Sequence, residues 1–231
     1  MNSIHYRKTP LRSLACCTLA LGCIAFAPAL QAANILINGS GDSPMSVGWT
    51  VLANGGSGWT VSNDTTYTGA DGLPGDFVTS YAQDRRSQTI DLLADGYTAA
   101  QLDASPTISV GESVKANGNF PNGTNNDTYY IKVDLLDANK NVISEWTVGT
   151  SAAMVTAPAA WTVNSFDFTG YAPGVRYVYF EDGGKDGGNW SGNYGTAFDL
   201  GFVNVNAVPE PGAAGIAVVA AAGAFGLRRR R

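Results

Sequence analysis

The chain runs to 231 residues, and its three cysteines (Cys16, Cys17, Cys23) and its single histidine (His5) all fall within the first 23. Residues 33–207 therefore hold no thiol and no imidazole, which excludes disulfides, Ser-His-Asp and Cys-His nucleophiles, and the usual zinc, copper and haem ligands there. The same span carries seven basic against eighteen acidic side chains, a net of −11, which disfavours nucleic acid and anionic lipid headgroups as partners.

In chain order, Arg7, Lys8 and Arg12 form a basic start, Leu14 to Leu30 an apolar stretch, and Leu30-Gln31-Ala32-Ala33 a small-residue cleavage site. Residues 1–33 thus read as a secretory signal peptide with an N-terminal signal helix, handled by the Sec export machinery. Residues 34–207 are rich in Gly, Thr, Val, Tyr and Trp, in short alternating runs between turn residues. Strands are predicted at Ile35–Asn38, Trp49–Leu52, Trp59–Ser62, Phe77–Ala82, Ser87–Leu92 and Thr107–Lys115. More follow at Thr128–Leu136, Val142–Val148, Thr162–Phe168, Arg176–Asp182 and Phe198–Asn206, with one short helix within Gly96–Ala104. In Tyr130-Ile131-Lys132-Val133-Asp134-Leu135 the period is two, with Lys132 and Asp134 facing water. Asp137-Ala138-Asn139-Lys140-Asn141 reads as a hairpin turn. Many short strands with turns between them imply an all-β, antiparallel two-sheet sandwich.

The end of the chain is Val208-Pro209-Glu210-Pro211-Gly212, an uncharged apolar run to Leu227, then Arg228, Arg229, Arg230 and Arg231. The apolar run would span about 22–24 Å as a helix, short of a ~30 Å hydrocarbon core. The arginines resist crossing a bilayer and act as a topological stop, and Pro209 and Pro211 keep the segment before the run extended.

Trp190 lies in Gly187-Gly188-Asn189-Trp190-Ser191-Gly192-Asn193, among small polar residues. Its ring can face a sugar, with neighbouring Asn and Ser supplying hydrogen bonds, or it can plug the end of the sandwich. Tyr81 has the same two readings. Trp49, Trp59, Trp146 and Trp161 sit in strand-like segments and are expected in the core. Glu112, Glu145 and Glu181 are carboxylates from which a glycoside-hydrolysing pair could come, but nothing in the sequence sets two face to face. Asp182-Gly183-Gly184-Lys185-Asp186 allows a calcium loop or a tight turn, and does not match EF-hand spacing. No other cofactor is expected.

Two stretches resemble known families. The ordered Pro-Glu-Pro, apolar run and arginine cluster of residues 208–231 resemble the PEP-CTERM sorting signals of Gram-negative bacteria. That resemblance implies an exosortase as partner acting at Pro209, Glu210 and Pro211, and a precursor held transiently in the inner membrane by a C-terminal transmembrane segment. It also implies export to the cell surface or extracellular matrix, in cells that make exopolysaccharide. The middle carries Asn34-Ile35-Leu36-Ile37-Asn38-Gly39, Gly48-Trp49, Asn54-Gly55-Gly56-Ser57-Gly58-Trp59, Phe77-Val78-Thr79-Ser80-Tyr81, Ser87-Gln88-Thr89-Ile90-Asp91-Leu92 and Asp95-Gly96-Tyr97. Tyr171-Ala172-Pro173-Gly174-Val175-Arg176, Gly183-Gly184-Lys185-Asp186 and Trp190-Ser191-Gly192-Asn193-Tyr194-Gly195 complete the series. In that order they resemble the F-box-associated (FBA) domain of sugar-recognising F-box proteins, without the F-box itself.

The resemblance implies a galactose-binding-like jelly roll with a shallow glycan site at one end, built by two loops. One loop carries an aromatic after Phe-x-x-Ser, here Tyr81; the other carries an aromatic, a Trp and a Lys, here Asn189, Trp190 and Ser191. Two of those four groups are thus replaced, which alters the family's specificity. The sequence as a whole predicts an exported, non-catalytic carbohydrate-binding protein of the cell surface or matrix. The alternatives are a structural or adhesive matrix protein without a sugar site, and a carboxylate-based glycosidase.

Overall fold

The computed structural model describes residues 33–62, 69–117, 126–188 and 191–206. The signal-peptide and sorting segments, with the helices expected in them, and Asn189 and Trp190 lie outside the described residues. Among the described residues no helix is long and apolar enough to cross a membrane.

The described residues form eleven strands and one short helix, in the order β1 (Thr50–Asn54), β2 (Thr60–Ser62), β3 (Asp76–Val78), β4 (Asp84–Asp91), α1 (Ala99–Asp103), β5 (Thr107–Ala116), β6 (Thr128–Leu136), β7 (Val142–Val148), β8 (Val155–Thr156), β9 (Thr162–Phe168), β10 (Tyr177–Lys185) and β11 (Thr196–Asn206). They form two antiparallel sheets. One is ordered β1-β4-β10-β6-β7, with β8 also on β6; the other is ordered β2-β3-β11-β5-β9. Neighbours distant in sequence, such as β4 beside β10 and β11 beside β5, make this the predicted two-sheet β-sandwich with crossed connections.

Alternation decides which side of each strand is buried. Along β6, Tyr129, Ile131, Val133 and Leu135 join the core, while Tyr130, Lys132 and Asp134 lie on the outer face. Phe180 and Val178 of β10 and Phe198, Val203 and Val205 of β11 meet them from both sheets. Each large apolar side chain buried in this way contributes about 1.5–3 kcal/mol. Trp49 is buried in this core, and Trp59 and Trp146 pack against it. The fourth expected core indole, Trp161, is only partly buried, with Lys115 Nζ 5.9 Å from its ring centre. The helix is nucleated by a capping box: the Thr98 hydroxyl accepts from the Gln101 N–H, and Gln101 reaches back to the Thr98 N–H.

The sandwich interior also holds an ionic cluster. Arg86 on β4 is fully buried; its Nε lies 2.9 Å from each Asp182 oxygen and its Nη2 2.7 Å from Glu112. The guanidinium stacks 3.8 Å over the Trp49 ring and 4.0 Å over Phe77. Burial, and then the Asp182 charge, push the Glu112 carboxyl well above its usual range. Asp182, raised by burial to about 6, is the carboxylate that balances Arg86.

Three local expectations change. Ile35–Asn38 is not a strand but a bend and turn: Ile35 N bonds Val203 O at 2.9 Å, and at Ile37 the place of a partner strand is taken by the Gln88 side chain. Its amide donates to Ile37 O at 3.0 Å and its Oε1 accepts from Ile37 N at 2.8 Å. Asp182–Lys185 is not a turn or a calcium loop but the end of β10, since Asp182 is committed to Arg86. Asp134 lies on the outer face, yet it is buried, covered there by Lys132 at 3.1 Å.

Candidate functional site: the loop end of the sandwich

The ends of β2, β3, β10 and β11 bring several connections together at one end. Thr79, the first residue after β3, donates its N–H to Thr196 O at 3.1 Å and accepts from Gly195 N at 3.1 Å. Ser80 O accepts from Asp186 N at 2.8 Å, so both feet of the 186–195 segment stand on the Thr79–Ser80 pair. The Ser80 hydroxyl accepts from Ser57 N at 2.8 Å and donates to Gly55 O at 3.1 Å, which ties in the 55–58 turn. Asn193 closes the ring by donating its side-chain amide to Gly58 O. Gln83 donates to Ser151 O at 2.7 Å, adding the hairpin before β8.

Glycine is needed where these segments touch. A Cβ on Gly195 would stand 2.7 Å from the Asp186 nitrogen, and one on Gly56, at φ +59°, would stand 3.0 Å from Cε1 of Tyr81.

Tyr81 emerges from this scaffold. Thr79 and Ser80 before it are fully buried, whereas Tyr81 is 39% exposed, its ring edge resting on the Gly56 turn. Exposed aromatic surface beside hydrogen-bonding groups suits the C–H face of a sugar. Ser191 is exposed on the neighbouring segment. Asn189 and Trp190 lie outside the described residues, but the two ends of their segment are fixed beside the Tyr81 segment by the bonds above. Sequence reasoning passed over Tyr194. It is 44% exposed, and it precedes Gly195, whose N–H binds two residues from Tyr81. An aromatic flanked by Asn and Gly in a polar loop was the available signal.

Carboxyls set the electrostatics beneath the loops. Asp84 accepts from Ser80 N at 2.7 Å, and burial raises it to about 6. Asp127, where the chain enters β6, is raised to about 7 by burial and by the Asp186 carboxylate, to which it is hydrogen-bonded. Asp127 also accepts from Asn117 N at 3.2 Å, and Asp186 from Gly188 N at 2.5 Å. The pair pins the foot of the 186–195 segment. Among the described residues no three His, Cys, Asp or Glu side chains converge to hold a metal.

The three glutamates do not assemble at this end. Glu112 lies between the sheets on Arg86, and Glu145 and Glu181 lie on the outer face of the six-stranded sheet.

The pattern of the F-box associated region matches residues 30–205, three quarters of the chain. The chain belongs to the F-box associated region family. Within it, F-box only protein 6 of Bos taurus is 34% identical over 168 residues, covering 70% of this chain and 61% of the relative. F-box only protein 2 of Bos taurus is 33% identical over 178 residues, covering 70% and 55%. The chain thus spans between half and two thirds of the length of these curated relatives. Among solved structures, TmCBM61 in complex with β-1,4-galactotriose superposes with a TM-score of 0.40 at 12% identity, over 71% of this chain and 90% of that one. The enzymatically active domain of bacteriophage CBA120 tailspike protein 4 gives 0.45 at 19%, over 74% and 21%. These likenesses are too loose to bear on the ligand of this family member.

Proposed function

We propose that this F-box associated region domain is an exported, non-catalytic carbohydrate-binding protein that holds glycan at the loop end. The observation that carries the reading is the exposed Tyr81 ring on a rigid, hydrogen-bonded platform shared with the 186–195 segment. Family membership supports it, through the glycan site that the resemblance places on these same two loops. Trp190 and Tyr194 would complete the aromatic surface, with Asn189, Ser191 and Asn193 as hydrogen-bonding groups. Replacement of the family's second-loop aromatic and Lys by Asn189 and Ser191 implies a different sugar preference. Residues 33–207 hold no Cys or His, which removes thiol and imidazole nucleophiles and leaves carboxylates as the groups of the glycosidase alternative. Export by the Sec machinery, sorting by an exosortase at Pro209, Glu210 and Pro211, and residence on the envelope surface or in the polysaccharide matrix follow from the terminal sequence patterns.

A glycan array probed with the purified protein, including polysaccharide from the producing cell, tests the reading. Binding to a defined glycan, lost in Tyr81→Ala and Trp190→Ala at unchanged melting temperature, is expected. Absence of a hit on every glycan would leave the structural-matrix alternative, and turnover of a bound polysaccharide would restore the glycosidase alternative.

A further inference from the structure

A preformed cavity lies on the outer face of the six-stranded sheet, its rim hairpin tied to the loop end through Gln83 and Ser151. It holds about 330 Å³, at the small end of ligand clefts, and is walled by β4, β10, β6, β7 and the hairpin at Gly149–Ser151. Its floor is Glu181, whose Oε1 accepts three hydrogen bonds and whose Oε2 accepts one. Arg85 donates to Oε1 through Nη2 at 2.6 Å and Nε at 3.2 Å, Tyr130 donates to Oε1 at 2.5 Å, and Tyr179 donates to Oε2 at 2.6 Å. Tyr130 and Glu181 are both buried, so this floor is fixed before any ligand arrives.

The wall carries spare donors. Lys132 uses two of its three N–H groups, on Asp134 and Glu145, each at 3.1 Å, and keeps a third of its side chain in water. Arg85 commits Nε and Nη2 and is likewise one third exposed. Thr147, Thr150 and Ser151 add hydroxyls that both donate and accept. The rim hairpin is held by paired Thr150–Ala153 backbone bonds and by Gln83 on Ser151.

This lining selects its ligand. No Leu, Ile, Val, Met or Phe lines the cavity, so a purely apolar molecule finds few partners there and leaves its polar groups unanswered. The two cations are matched by Glu145 and Glu181, so no net positive charge waits for a phosphate or a carboxylate. A neutral molecule dense in hydroxyls, able to accept from Lys132 and Arg85 and to donate to Glu145, fits both conditions.

We propose that this cavity is a second carbohydrate site, taking one or two rings of a neutral glycan, and that it works independently of the Tyr81 end. Two sites on different faces would let one domain bridge two polysaccharide chains.

Amide-resolved NMR titration of the purified protein with cellotriose, xylotriose, galactotriose and mannotriose, and with tri-galacturonate as the anionic comparator, tests this. The expected result is that at least one neutral trisaccharide moves the amides of Thr147–Ser151 and Arg85. Thr147→Trp, an exposed strand position whose new ring fills the cavity, should weaken those shifts at least tenfold, and Tyr81→Ala should leave them intact. Thr150→Trp on the rim hairpin serves if Thr147→Trp lowers the melting temperature. The proposal is overturned if no neutral probe moves the 147–151 amides, if tri-galacturonate binds there more tightly, if the Trp variants change nothing, or if Tyr81→Ala abolishes the shifts.

Discussion

Arg85 and Arg86 are neighbours in sequence and opposites in the fold. Both sit on β4, and each pairs with an acid on β10, Glu181 for the first and Asp182 for the second. Because β4 alternates, Arg86 points between the sheets, sealed under Trp49 and Phe77, while Arg85 points outward and lines the outer-face cavity. The difference teaches how to separate structural charge from available charge. Every partner of Arg86 is buried with it, so its removal would strand two carboxyls inside the sandwich. Arg85 keeps donors in water and can answer to a ligand.

The largest test of that contrast is Arg86→Ala. Breaking a buried ion pair from one side costs about 3–5 kcal/mol, and at about 2–4 °C per kcal/mol the melting midpoint should fall by ~10 °C or more, or folding should fail. Arg85→Ala removes a half-solvated network and should cost only about 1–2 kcal/mol. Equal destabilisation by the two substitutions, measured by thermal melts, would erase the distinction.

The next effect is pH dependence. Asp76, Asp84, Asp182 and Asp199 are raised to about 6 and Asp127 to about 7, in each case first by burial. These groups sit above their unfolded values near 4. Their stabilising contribution is therefore complete below about pH 4 and is lost as pH rises through 6 to 7. Glu181, Asp103 and Asp137 are lowered, so their contribution is present above the unfolded value and fades only in stronger acid. Stability should peak between about pH 4 and 6, with the melting midpoint higher at pH 5 than at pH 8. A net proton uptake worth ~1.4 kcal/mol moves it by about 3–5 °C. Asp127→Asn keeps the loop-end hydrogen bond without the charge and should flatten part of that slope. A midpoint that rises steadily to pH 8 would contradict the assignment.

The smallest effect on stability belongs to the proposed site itself. Tyr81→Ala and Tyr194→Ala remove exposed rings and should change stability by less than about 0.5 kcal/mol. Their cost should appear in glycan affinity instead.

The sandwich was legible in the sequence because β6 alternates between core and outer face, whereas β11 changes phase at an irregularity between Asp199 and Phe202. The same alternation, carried backward along β4 from Ile90 through Gln88, sets Arg86 on the inner face, although composition alone would place an arginine in water. The Ile35–Asn38 turn was not legible, since the partner of Ile37 is the Gln88 side chain, 51 residues away. Gly183 and Gly184 looked like turn residues. In β10 they lie against the neighbouring strands, with Asp84 O and Thr128 O occupying the space a Cβ would need. At the candidate site, Tyr81 was visible through its Phe-x-x-Ser phrase, whereas Tyr194 was hidden in a Gly- and Asn-rich loop. The outer cavity was invisible, because its wall comes from four strands and a hairpin that only the sheet order brings together.

The most direct test of the central claim is a binding isotherm for the best array glycan, measured on the unaltered protein and on Tyr81→Ala with matched melting curves. The loop-end account predicts an affinity at least tenfold weaker, ~1.4 kcal/mol, at an unchanged melting midpoint. Identical isotherms would contradict it and remove the Tyr81 end as the glycan site.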